Sequence, residues 1–124
     1  MPNRALLTAA AVALCTTTAL ADEEYNYAPA CQAPVAPTIG APATQAELAA
    51  AHAAATGFMR VSDSYQQCLG RALGKQQDTA FYMHSNVPKH IEKQIEGKAE
   101  ANQKQKEQVA AAYNAAAQAF GAKP

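Results

Sequence analysis

The stretch from 43 to 73, "ATQAELAAAHAAATGFMRVSDSYQQCLGRAL", decides the fold. Thr44 followed by Glu47 forms a capping box. The hydroxyl accepts an amide of the first turn, and the carboxylate reaches back to the cap's own amide. From there Leu48, Ala51, Ala55, Phe58, Ser62, Tyr65, Leu69 and Ala72 recur every three or four residues, which is one narrow stripe of a long helix. Met59, Val61, Cys68 and Leu73 widen that stripe. The spacing predicts a helix over 44–84. Gly70 and Gly74, each about 1 kcal/mol worse than alanine in a helix, leave two readings open: a helix that stops near Gly74, or one that runs on to about His84.

A second pattern begins at "SNVPKHIEKQIE". Ser85 or Asn86 is suited to capping, and Pro88 suits an early helical position because its missing amide has no intrahelical partner there. Ile91, Ile95, Ala99, Asn102, Lys106, Val109, Tyr113, Ala116 and Phe120 then alternate in steps of four and three, the spacing of helices packed side by side. This predicts a helix over 87–120, ended by Gly121. Two such helices joined by a short connection form an antiparallel, coiled-coil-like hairpin in an all-α domain spanning 44–124. A turn centred on Ser85–Asn86 sets Phe58 against Tyr113, Tyr65 against Lys106, either as a cation–π contact or with the lysine snorkelling from the seam, and Leu69 against Asn102. The middle of this seam is small and polar, so the hairpin needs stabilisation from elsewhere.

Upstream of Thr44 the composition changes. Residues 22–43 carry Pro29, Pro34, Pro37 and Pro42 among small residues, which favours an extended polyproline strap. Residues 1–21 hold Arg4, then an uncharged stretch closing in Ala19-Leu20-Ala21 before acidic residues. That is the pattern of a signal peptide cut after Ala21. Cleavage removes Arg4 and Cys15 from the 124-residue chain and leaves nine basic and ten acidic residues, a net charge of −1. Without a basic excess there is no nucleic-acid footprint. No membrane span is expected after cleavage.

The two cysteines left in the exported chain, Cys31 and Cys68, have one possible pairing. Thr44 to Cys68 is about 36 Å of helix, and Cys31 to Thr44 is about 40 Å of polyproline chain. A strap folded back along the first helix therefore brings the two sulfurs together.

No nucleophile–base arrangement, phosphate loop, zinc motif or haem motif occurs, so neither an enzyme nor a cofactor is expected. His84 and His90, with Met83, flank the inter-helix turn and are the weak metal candidates, of a softness that suits copper. Glu92, Glu96 and Glu100 form a solvated face offset by Lys89, Lys93 and Lys104. The pattern C-x-A-P…P…A-T…E-L…F…S-Y-Q-Q-C-L, over about Cys31 to Leu69, resembles a loose group of short secreted proteins of Gram-negative, especially alphaproteobacterial, bacteria. That resemblance implies a periplasmic location and the paired cysteines, and no activity. The expectation is an exported, non-enzymatic structural or interaction protein whose partner is a second copy or another helical protein. The alternative is a periplasmic binder of copper or a small ligand.

Overall fold

The structure, a computed structural model, describes residues 24–122. The expected signal peptide, 1–21, lies outside the described residues. Among the described residues two helices form, α1 (Gln45–Tyr82) and α2 (Lys89–Gly121), packed against each other as an all-α hairpin. At 1.5 Å per residue the 38 residues of α1 make a rod about 57 Å long.

The Thr44 cap forms: its hydroxyl accepts the Glu47 amide at 3.2 Å. The Glu47 carboxylate, expected on the cap's own amide, instead takes that of Ala43 at 2.6 Å, which ties the strap's last residue to the helix. Of the two readings left open at Gly74, the continuous helix is the one observed: α1 runs unbroken through both glycines. A side chain at either position would meet nothing within 4 Å. The glycines thus reflect no close backbone approach, and their cost is absorbed by packing on either side of them.

All five buried residues of α1, Ala55, Phe58, Ser62, Tyr65 and Leu69, belong to the stripe read from the sequence. So do the five of α2, Ile91, Ile95, Asn102, Val109 and Ala116. They form two apolar clusters separated by a polar layer. One holds Ala28, Tyr65, Leu69, Val87, Ile91 and Ile95, with Cys31 and Leu73 against it. The other holds Ala55, Phe58 and Val109, with Ala36, Met59 and Tyr113. Between them Asn102 donates to Ser62 Oγ (3.1 Å) and accepts from Gln66 Nε2 (3.0 Å).

The register differs from the expected one by about a turn. Asn102 lies level with Ser62 and Gln66, not with Leu69. Lys106 donates to Asp63 (2.6 Å) in place of the cation–π contact with Tyr65. The connection is the cause. Ser85–Pro88 is non-helical, Pro88 has a ψ of 132°, and Val87 is buried in the first cluster. Extended residues advance about 3.3 Å each against 1.5 Å in a helix, so they carry the chain back along α1 before α2 begins. Pro88 is accordingly the residue preceding α2, and neither Ser85 nor Asn86 caps it through a side chain. α2 ends at Gly121, as expected, without a left-handed closing residue: Gly121 is the last helical residue, and Ala122 after it is right-handed.

The strap is a third layer. Gln94 of α2 treats it as a neighbouring peptide group, donating to the Tyr25 carbonyl (2.7 Å) and accepting from the Tyr27 amide (2.9 Å). Asn26 accepts from Lys98 (2.6 Å) and from the amide of Ala28 (3.0 Å), an Asx turn. A second turn, with the Cys31 amide on the Ala28 carbonyl, carries the chain over the seam to α1. There Cys31 is bonded to Cys68, their Cα atoms 5.6 Å apart. The chain then follows α1 back to Thr44, with Ala36 packed beside Phe58.

Candidate functional site

The hairpin concentrates its unexplained chemistry at one end. α1 stops in a Schellman motif: the Ser85 amide donates to the Ala80 carbonyl (2.9 Å) and the His84 amide to that of Phe81 (3.1 Å). The position that closes this motif usually holds glycine, because it is left-handed. Here it is His84, with a φ of 52°, at a cost of about 1 kcal/mol. Backbone strain kept at a loop tip is a feature of functional sites.

The same turn carries three consecutive large apolar residues with nothing over them. Phe81, Tyr82 and Met83 are 77, 80 and 72% exposed, and the two rings meet edge to face at 5.9 Å. They lie beyond the reach of α2, which begins level with the turn before them. Such side chains normally lie inside a domain or against a partner, and a contiguous exposed group marks an interaction site.

Behind the tip lies an aromatic group of a different kind. Tyr25 packs on Tyr27 with ring centres 4.8 Å apart, and Tyr27 packs on His90 at 5.6 Å. The Tyr27 hydroxyl is 3.1 Å from His90 Nε2. Of the residues proposed from sequence as metal ligands, Met83 and His84 are therefore neighbours in the exposed turn, whereas His90 opens α2 and is engaged by the strap. Among the described residues no three or more of His, Cys, Asp and Glu gather in a way that could hold a metal ion. His52, the remaining histidine, packs on Tyr113 at 5.4 Å near the other end. The acidic face of α2 is neutralised in part by lysines on the same helix, Lys89 to Glu92 at 3.2 Å and Lys104 to Glu100 at 3.4 Å. Burial raises the Tyr65 hydroxyl's pKa above its ordinary value of 10.0.

The sequence reading did not single out Phe81 and Tyr82. A signal was available: an apolar triplet directly before a helix connection lies past the last position that a facing helix can cover. The docking of 25–28 on α2 had no signal of comparable strength, because Gln94 is one of many glutamines.

Fold and site together define a helical hairpin stapled by one disulfide to an extended strap, with an uncovered apolar tip. No protein-family model matches the chain, and no curated protein or solved structure is significantly similar to it.

Proposed function

We propose that the protein is exported to the bacterial periplasm and works there as a non-enzymatic interaction or structural protein. The observation that carries this reading is the Cys31–Cys68 bond. A disulfide joining the strap to a thinly packed hairpin is a structural element suited to an oxidising compartment, since cytosolic thiols are kept reduced. The signal-peptide pattern of 1–21 supports the same compartment from an independent part of the chain. No helix among the described residues is long and apolar enough to cross a membrane. The non-enzymatic reading is supported by the engagement of His52 and His90 with tyrosine rings, away from Ser64 and Asp63. Self-association, or docking of a helical partner, would use the outer faces of the two helices, and light scattering of the mature chain reads it directly.

The test is fractionation of a Gram-negative host expressing the full chain, followed by intact mass measurement with thiol blocking. The expected product is periplasmic, begins at Asp22 and has no reactive thiol. A cytosolic product that keeps residues 1–21 and reacts at Cys31 and Cys68 would overturn the proposal.

A further inference from the structure

The geometry points to the tip of the hairpin as a contact site for an anionic phospholipid surface, with Phe81, Tyr82 and Met83 entering the interface and the basic residues behind them meeting the headgroups. This rests on the interaction reading and adds to it a lipid target at the tip, separate from the helix faces offered to a protein partner.

Shape is the first argument. The three apolar side chains protrude at the convex end of a rod, Phe81 beside an open hollow that it shares with Ser85, Asn86, Lys89 and Glu92, so they suit a deformable apolar medium that accepts a protrusion. Their composition is suited to the boundary between water and lipid, where amphipathic aromatic rings are enriched.

Depth is the second. A headgroup region is about 5–8 Å thick on each side of the hydrocarbon core. Along α1, Lys75 is seven residues behind Tyr82, about 10 Å. In the observed register Lys89 is level with about residue 78, some 6 Å behind. Its side chain is 95% exposed, with its amine on Glu92. Tyr25, Tyr27 and His90 lie at a similar depth on the α2 side. With the tip in the acyl boundary, these lysines and tyrosines fall in or just above the headgroup layer.

Charge is the third. The tip half, residues 71–93 with Glu24 of the strap beside His90 and Lys93, carries Arg71, Lys75, Lys89 and Lys93 against Glu24, Asp78 and Glu92, a balance of +1. The other described residues hold four basic and five acidic side chains, a balance of −1. The molecule is therefore polarised along its axis, with the positive end where the apolar residues protrude. Each lysine or arginine near an anionic leaflet strengthens binding about fivefold.

The experiment is co-sedimentation of the disulfide-bonded mature chain with vesicles of equal parts phosphatidylglycerol and phosphatidylcholine, compared with phosphatidylcholine alone. Binding to the anionic vesicles is expected to exceed that to neutral ones by about tenfold or more. Phe81→Ser/Tyr82→Ser/Met83→Ser should lose about tenfold or more on both vesicle types. Lys75→Gln/Lys89→Gln should weaken only the anionic case. Val35→Ser removes an apolar residue that is 92% exposed but remote from the tip, and should bind like the parent. Circular dichroism confirms that each variant is folded. Equal binding by parent and tip triple variant, absence of binding to anionic vesicles, or a dimer in solution that the tip substitutions abolish would each overturn the proposal. Because vesicle binding is measured on purified protein, its failure would leave the periplasmic assignment to be judged by fractionation.

Discussion

Asn102→Ala is the substitution whose cost follows most directly from the packing. Asn102 is 3% exposed and Ser62 is wholly enclosed. The substitution removes the donor to Ser62 Oγ and the acceptor for Gln66 Nε2. A buried polar group left without a partner costs about 1–3 kcal/mol, so with the lost Gln66 bond the destabilisation should be about 2–3 kcal/mol. For a domain of this size that is a fall in melting temperature of about 10–20 °C. Ser62→Ala alone strands the other partner and should cost about 1–2 kcal/mol. The double variant leaves neither group unpaired, so its cost should fall short of the sum of the single costs by about 1 kcal/mol or more. Circular dichroism melts of the four proteins complete the cycle. Costs that add within about 0.3 kcal/mol would show that the two side chains act independently and that the polar layer does not couple the helices.

Two other expectations follow from individual residues. His84→Gly relieves a left-handed non-glycine residue and should raise stability by about 0.5–1 kcal/mol, read as a melting temperature a few degrees higher; a lower one would mean that the imidazole makes a stabilising contact. Burial raises the Tyr65 pKa in the folded state, so the associated stability is fully present below the unfolded value of about 10 and is lost as pH rises from there through the folded pKa. In alkaline melts Tyr65→Phe should therefore lose less stability above pH 10 than the parent, and parallel losses would refute the assignment.

The buried stripes of both helices, the Thr44 cap and the strap's attachment at Cys68 were legible because each rests on local spacing or on a single possible pairing. Seam register was not, since it depends on how far a few connecting residues travel. A turn taken as symmetric about Ser85–Asn86 sets Leu69 level with Asn102, while the extended Ser85–Pro88 moves Asn102 to Ser62. The hint was present in Val87, because a residue before proline is held away from the helical region. The anchoring of 25–28 by Gln94 and Lys98 depends on that register in turn, and so could not be read before it. At the tip, Met83 and His84 were visible as turn residues, but their chemistry changes once Phe81 and Tyr82 are seen to lie beyond α2's cover.

The central claim is that a hairpin with two small apolar clusters and a polar middle depends on its strap, and that the strap depends on one covalent bond. Cys31 and Cys68 are 37 residues apart, and closing a loop of that length contributes about 4 kcal/mol through the chain entropy of the unfolded state. The most direct measurement is the thermal melt of the oxidised mature chain beside that of Cys31→Ser/Cys68→Ser in the same buffer. The account predicts a melting temperature lower by about 15 °C or more in the variant; melts that coincide within about 3 °C would contradict it.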